Sequence, residues 1–597
     1  MTVASPVLLQ GTENLPALFF AVADAQPLRP AQWARSDAGY VPITYAQMQT
    51  RVRAAAAELI RAGVRPGDHV ALLMENRPEW AVVDYAILAI GAVTVPMYCT
   101  YRPQDIAYVL NDSGAHIVIT SGGILLRHLL LAVETSEHVQ RIFCLDSGAQ
   151  EDERLRPFTE LAGEFEASET DVAELQRRIE AVTKNTLATL IYTSGTTGKP
   201  KGVMLTHGNL MANLEVVLDV LGLCEDEMML SFLPLAHALE RTGGHFMPYS
   251  FGLSVAFAER PDSVVKNMAE AHPTLMVTVP RLLEVVRSRI LGQVAQQSVV
   301  KRFLFESFLG LGLRAGRGPL SALAKLRLRL LDRLVGHARR ARFGGRLRMF
   351  ISGGAPLSVN VAEFFEALGL PVLVGFGMTE AAPLISANPE SDRRLGSVGK
   401  PAFNGEVKIA DDGEILTRGP NIMQGYWRQK KETAATVQGG WLHTGDIGRL
   451  DDGYLYITDR KKDLIVNSGG ENIAPQRIEG LLIGDAMIDQ AVVYGDKKPY
   501  LVALITANKE ACTAWAAAEG LPESDWAHLC AAKVVQKMLQ SHITVLLKPL
   551  SPFEQVRRIH VIGSPLCIED DMLTPTLKVK RRQVFARYGE ALDALYG

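Results

Sequence analysis

The run LATLIYTSGTTGKPKG at positions 187–202 joins a short apolar strand to a loop rich in small and hydroxyl residues. Residues 187–192 are apolar and suited to a buried strand, and Thr193 opens a segment with three glycines and four hydroxyl side chains. Gly195 and Gly198 let backbone N–H groups turn inward, and Thr193, Ser194, Thr196 and Thr197 add hydroxyl donors. Lys199 and Lys201 supply positive charge, so the whole is a cradle for phosphate oxygens. A Walker-type loop needs Gly, four residues and then Gly-Lys-Ser/Thr, whereas Gly198-Lys199 is followed here by Pro200. P-loop phosphoryl transfer is therefore disfavoured. A plain hairpin turn is the ordinary alternative, but it needs only one or two special residues.

Working outward, residues 45–63 and 79–90 carry helical apolar spacing, with a short apolar strand at 69–74 between them. That alternation predicts a parallel α/β sheet. The acid-rich stretch 151–180 reads as a solvated helix and linker. Strands are expected at 275–279, 348–351 and 372–374, each running into a Gly- or Pro-rich turn, and ligands of such sheets gather at the carboxyl ends of strands. From Glu406 the pattern changes to short strands with turns at Asp411-Asp412-Gly413 and Asp451-Asp452-Gly453, which predicts a small β-rich subdomain. A charged run, Asp459-Arg460-Lys461-Lys462-Asp463, then leads into an α+β tail. A chain of 597 residues exceeds one hydrophobic core, since cores stop growing near about 250–300 residues.

With 48% hydrophobic and 21% charged residues the chain has ample core, and a net charge of -3 gives no global pull toward nucleic acid. The six cysteines form no CxxC pair, which predicts reduced thiols and a cytoplasmic protein. No basic residue precedes Arg29 and no apolar leader follows Met1, so secretion is not expected. The uncharged stretch 85–101 is broken by Gly91 and Pro96 and reads as a buried helix entering a strand.

The phosphate loop stands first in an ordered set: LPLAHALER at 233–241, SGGAPLS at 352–358, GFGMTEAAP at 375–383, HTGDIG at 443–448, DRKKDLIVNSGGENIAP at 459–475 and LTPTLKVKRR at 573–582. In this order the motifs resemble those of the adenylate-forming superfamily of acyl-CoA synthetases, luciferases and adenylation domains. The wording of LPLAHALER, DRKKDLI and TPTLKVKRR is similar to its long-chain fatty acyl branch. The resemblance covers nearly the whole chain. It implies an N-terminal domain at 1–459, built of α/β sheets with a β-rich subdomain at 406–459, a hinge at 460–462, and a mobile α+β C-terminal domain at 463–597 carrying a catalytic lysine. The reaction it implies has two steps. A fatty acid carboxylate attacks the α-phosphate of ATP and expels pyrophosphate, and coenzyme A then displaces AMP.

Residue by residue, the resemblance assigns Thr193 and Glu380 to Mg²⁺ and phosphate, with the rest of the loop, Ser194 through Lys199, on phosphate. Gly354, Ala355, Gly375 and Phe376 would form the adenine slot, with Gly377 also on ATP. Phe376 stands where the family usually has Tyr, so stacking must serve without a hydroxyl. Thr379 would bond the α-phosphate, and Asp446 and Arg460 the ribose. Lys578 matches the mobile catalytic lysine, although Thr576-Leu577 replaces the usual Ser-Gly before it and Lys580 stands as an alternative. Lys462 matches the hinge position, with Gly469-Gly470 adjoining it, and His237 resembles a residue near the acyl carboxylate. A solvated Glu380, a plain Asx-turn at Asp446 and a hydrogen-bonded core histidine at 237 are the ordinary alternatives.

Residues 301–348 carry thirteen Lys and Arg side chains against Glu306 and Asp332. Leu323, Leu326, Leu330 and Leu334 recur among them at helical spacing, the pattern of a basic amphipathic helix. It suits a solvated face on the core or peripheral docking on the inner face of an anionic membrane, and part of the charge could serve CoA phosphates. Nucleic acid is disfavoured because aromatic residues are not interleaved. Transfer to a carrier-protein phosphopantetheine and a non-catalytic nucleotide-binding scaffold remain alternative functions. No motif fixes the oligomeric state, a homodimer being one candidate.

Overall fold

The computed structural model describes residue 9 and residues 11–37, 39–136, 138–162, 168–193, 199–260, 263–403, 406–469, 471–521, 525–574 and 578–597. The α/β sheets expected of the N-terminal domain number two among the described residues. The first has eight strands and a parallel centre formed by Leu187–Thr193, Val93–Pro96, His69–Leu73, Ile117–Gly122 and Arg141–Asp146. The second has nine, with Val372–Gly377, Met349–Ser352, Leu275–Thr278, Met228–Ser231 and Ser254–Phe257 parallel in that order. The sequence cannot tell one buried sheet from two, because strands of either read as short continuous apolar runs.

Helix Pro78–Ala89 explains how the two sheets join. Every residue from Trp80 to Ala89 is buried, and accordingly the segment is apolar all round with no polar face. Its one buried charge, Asp84, is met by Arg241, and both side chains are completely inaccessible. Arg241 Nε donates to Asp84 Oδ2 at 3.2 Å and its Nη1 donates to Thr189 Oγ1. Thr94 Oγ1 donates to Asp84 Oδ1 at 2.7 Å, and His245 Nε2 lies 3.0 Å from Oδ2. Thr94 and Thr189 belong to the first sheet, and Arg241 opens the segment Arg241–Phe246 that packs on the second, so this cluster ties the halves together.

The solvated helix expected within 151–180 is Glu169–Ala181, but the part expected as linker includes an edge strand of the first sheet. Leu155–Pro157 pairs in parallel with Arg141–Asp146 and runs into helix Phe158–Ala162, while helix Glu169–Ala181, capped by Ser168, buries Leu175 and Ile179 in the main core. Leu175 and Ile179 are the two buried positions of that helix, and its remaining surface is mostly charged or polar, which is why the segment reads as solvated.

The antiparallel sheet of Val407–Ile409, Glu414–Thr417, Val437–Gln438, Trp441–Asp451 and Tyr454–Arg460 is the β-rich unit expected from Glu406 onward. Its main hairpin turns through Asp452 (φ 48°) and Gly453 (φ 77°), two successive left-handed residues of the kind that match strand twist. Beyond it, Ile488–Tyr494, Leu501–Ala507 and Val556–Ile562 form a three-stranded sheet with its own core. Alternation along these strands sends Val493, Ala503 and Ile505 toward helices Pro475–Ile483 and Lys533–Leu547. Val492, Val502 and Leu504 point the other way, toward Val584 and Leu592 of helix Arg581–Asp593. Among the described residues, no helix is long and apolar enough to cross a membrane.

Candidate active site

A cavity of about 3860 Å³ opens between the carboxyl ends of the second sheet's strands, the β-rich unit and the C-terminal sheet. Its wall includes every expected site residue that is described: Thr193, Lys199, His237, Gly354, Ala355, Gly375, Phe376, Gly377, Thr379, Glu380, Asp446, Arg460, Lys462 and Lys578. Ser194, Gly195, Thr196, Thr197 and Gly198 lie outside the described residues.

The phosphate loop connects strand Leu187–Thr193 to its antiparallel partner Lys201–Thr206, with Thr193 opposite Lys201. Both lysines flanking Pro200 lie over aromatic rings, Lys199 above Tyr108 at 5.4 Å and Lys201 above Tyr426 at 4.9 Å. These contacts steer the two ammonium groups while keeping their charge.

On the facing wall, strand Val372–Gly377 ends in a turn that places Thr379 and Glu380, both buried. Met378 N–H donates to Pro383 O at 2.9 Å, and a Cβ at Gly377 would sit 2.0 Å from that carbonyl. Only glycine permits so close a return of the chain. Gly354 is required for a different reason, a left-handed φ of 81° that turns the backbone after strand Met349–Ser352. Tyr426 Oη donates to Glu380 Oε1 at 2.8 Å, and no described residue hydrogen-bonds Oε2. Glu380 is thus held on one oxygen by a buried phenol, which argues against a solvated surface role.

Asp446 and Arg460 are cross-strand partners of the main hairpin, and Arg460 Nε donates to Asp446 Oδ1 at 3.0 Å. Burial pushes the Asp446 carboxyl above the usual range, and the Arg460 and Lys578 charges oppose that rise. Lys461 is anchored to Asp412 and Glu414 at 2.6 and 3.1 Å, while Lys462, the next residue, is exposed.

Lys578 comes from the C-terminal domain, on a short loop closed by Thr574 N–H to Lys578 O at 2.8 Å and Lys580 N–H to Met572 O at 2.8 Å. Burial lowers its ammonium to about 8, helped by the charge of Arg460 and opposed by Asp446 and Glu380. Lys580 Nζ is instead engaged with Asp571 Oδ1 at 2.5 Å. The domain is seated by arginines: Arg281 Nη1 donates to Asp489 O at 2.9 Å, Arg287 Nη1 to Gly484 O at 3.4 Å, and Arg102 Nη2 to Glu569 O at 3.4 Å.

His237 Nδ1 accepts the Leu239 N–H at 3.2 Å, capping a short helical turn. Nε2 therefore carries the proton of the neutral ring. Burial, together with the charge of Lys578, holds the imidazole neutral by lowering it to about 3. The group can donate one hydrogen bond into the cavity but cannot act as a cation near neutral pH.

Several supporting residues carry no sequence signal of their own. Tyr426 is a lone tyrosine brought to Glu380 only because Gly425–Tyr426 pairs with Lys201–Thr206. Asn76 Nδ2 donates to Ser231 Oγ and Leu233 O, Asn76 Oδ1 accepts the Leu235 N–H, and Ser231 Oγ donates to Glu240 Oε1 at 2.6 Å. This network fixes the segment leading to His237. Burial raises the Glu240 carboxyl to about 8. Glu240 and Arg241 sit inside a motif that the sequence picks out, yet both serve the interior behind the cavity wall.

Residues 19–427 match the family described as AMP-binding enzyme, and residues 462–597 match the AMP-binding enzyme C-terminal domain. The chain is similar to the long-chain-fatty-acid–CoA ligase FadD15 of Mycobacterium bovis, 33% identical over 617 aligned positions that cover 100% of this chain and 99% of that one. It is also similar to the peroxisomal long chain acyl-CoA synthetase 7 of Arabidopsis thaliana, 33% identical over 93% of this chain and 82% of that protein. Among solved structures, the o-succinylbenzoate CoA synthetase MenE of Bacillus subtilis, in complex with the acyl-adenylate intermediate OSB-AMP, superposes with a TM-score of 0.68 at 25% identity, covering 96% of this chain and 98% of that one.

Proposed function

Because the chain belongs to the AMP-binding enzyme family, we propose that it activates a long-chain fatty acid with ATP, forming an acyl-adenylate and pyrophosphate, and passes the acyl group to CoA with release of AMP. The observation that carries this reading is the convergence of both domains on one cavity. Glu380, Asp446 and Arg460 come from the N-terminal side and Lys578 from the C-terminal side, close enough for their charges to act on one another. Full-length likeness to CoA ligases supports CoA over a carrier protein as acceptor. A scaffold without catalysis would have no need to bury an ammonium.

In this reading the ribose is held by Asp446 with Arg460, and adenine lies against Phe376 and the backbone of Gly354 and Ala355, where small residues allow close approach. The carboxylate of the acid attacks the α-phosphorus as the bond to pyrophosphate breaks. Lys578 bridges the attacking carboxylate and the α-phosphate, placing a fixed cation where negative charge concentrates. His237 donates its Nε2 proton in a hydrogen bond to the acyl carboxyl group and orients it. Thr193 and Glu380 present hard oxygen donors on the same cavity and fit Mg²⁺, which takes few protein ligands beside phosphate and water. They would hold the ion, and when bound it neutralises phosphate charge.

For the second step the thiol of CoA attacks the acyl carbon and AMP leaves. Lys578 has then to withdraw, and we place the hinge at 460–462, with Lys462 as the exposed pivot between Lys461, which stays anchored to Asp412 and Glu414, and the C-terminal domain from 463 onward. We place the enzyme in the cytoplasm, where its six unpaired cysteines remain reduced. Pyrophosphate release measured across carboxylic acids of increasing chain length, with and without CoA, tests the assignment. Release with long acids that turns over only with CoA is expected. Release independent of any acid would overturn it.

A further inference from the structure

Helix Val299–Arg317 packs on helix Val359–Ala367 and on helix Ala322–Leu331, and Phe305, Phe308 and Leu331 are buried. The leucine stripe of the second helix, continued by the π-helical turn Asp332–Gly336, faces away from that core. Leu323, Leu326, Leu330 and Leu334 are 78%, 63%, 58% and 61% exposed. The first turn of the preceding helix likewise exposes Val299, Val300 and Phe303. Isolated exposed leucines are unremarkable, but a row of four at helical spacing is an apolar surface that lacks a cover.

At about 100° per residue, Leu323, Leu326 and Leu330 share one edge of the solvent side. Lys325, Arg329 and Arg333, spaced four apart, run along the neighbouring edge, and Arg327 flanks the leucines on their other side. All four cations are exposed, and among the described residues no carboxylate pairs with any of them. Asp332, the nearest acid in sequence, is engaged by both terminal nitrogens of Arg340. Arg339 is buried over the Phe305 ring, and Arg348 is bound to Glu227 and Glu390, so these members of the basic segment are structural. What remains is an apolar strip bordered on both sides by unpaired positive charge.

We infer that this helix face docks the enzyme reversibly on an anionic lipid bilayer, with the leucines entering the headgroup boundary and Lys325, Arg327, Arg329 and Arg333 meeting lipid phosphates. Charge complementarity selects this occupant. A neutral apolar partner would leave four cations without counter-charge, whereas lipid phosphates surround an inserted helix on both flanks. The inference stands on the surface alone and does not depend on which acid the enzyme activates.

Co-sedimentation of the full chain with phosphatidylglycerol/phosphatidylcholine vesicles, against vesicles of phosphatidylcholine alone, tests it. Binding to the anionic vesicles is expected at low salt and should fall as salt screens the charges. Two variants separate the contributions: Lys325→Gln with Arg327→Gln, Arg329→Gln and Arg333→Gln, and Leu326→Ser with Leu330→Ser. Each should weaken partitioning by at least about 10-fold while leaving the melting temperature and activity on a soluble short acid at wild-type values. Absence of wild-type binding at low salt overturns the inference, as does binding that both variants retain. A leucine-dependent dimer in sedimentation analysis, without vesicle binding, would assign the face to a second copy instead.

Discussion

Replacing Lys578 by alanine should separate the two half-reactions. The fall of its ammonium from the ordinary 10.5 to about 8 corresponds to about 3 kcal/mol by which burial and the Arg460 charge, net of Asp446 and Glu380, disfavour its charged form. That cost is recovered when phosphate charge arrives, which is how a preorganised cation acts chiefly on the transition state. Removing one such donor lowers kcat by about 10²–10³-fold, or ~3–4 kcal/mol. Lys578→Ala should therefore lose pyrophosphate release by that factor and still convert supplied acyl-adenylate and CoA to thioester at the wild-type rate. Because the ammonium is present below its titration point and lost above it, wild-type kcat/KM for ATP should decline as pH rises through about 8. Lys578→Arg, charged throughout, should lose this decline even if its rate is lower. Lys580→Ala should adenylate normally, since Lys580 is committed to Asp571. Stopped-time pyrophosphate assays across pH decide the matter. Normal adenylation by Lys578→Ala, or an unchanged alkaline decline in Lys578→Arg, would refute the reasoning.

Other perturbations have equally definite outcomes. Lys462→Pro fixes φ near about -65° and should let acyl-adenylate form while thioester production collapses, read by quantifying both products. Gly377→Ala forces a methyl to within 2.0 Å of the Pro383 carbonyl, and the displacement should cost about 1–3 kcal/mol in denaturant titration together with loss of adenylation. Arg241→Met leaves Asp84 buried without its main counter-charge and should destabilise by about 3–5 kcal/mol, whereas the double variant Asp84→Leu/Arg241→Met should recover most of that loss.

The parts of the fold legible in the sequence are those where local chemistry is unambiguous. The turns at Gly413 and Gly453 mark the β-rich unit because glycine and aspartate accept left-handed backbone there. The candidate site residues stand in motifs whose order carries the family resemblance, and those that are described line one cavity. Partners that meet only through tertiary pairing were not legible: Tyr426 reaches Glu380 across a strand pairing more than two hundred residues apart in sequence from its partner strand. Which strand joins which sheet was hidden for a different reason, since helix Pro78–Ala89 between the sheets is buried from Trp80 to Ala89 and displays no polar face from which its surroundings could be inferred. The leucines at 323–334 are the reverse case. Their periodicity identifies a face, but only the surrounding structure tells whether the core or the solvent receives it.

The most direct test of the central claim is mass-spectrometric analysis of the products formed by the purified chain from palmitate, ATP and Mg²⁺. The account predicts palmitoyl-AMP and pyrophosphate without CoA, and palmitoyl-CoA with AMP when CoA is added. Formation of ADP in place of AMP, or AMP production that does not require the acid, would contradict it.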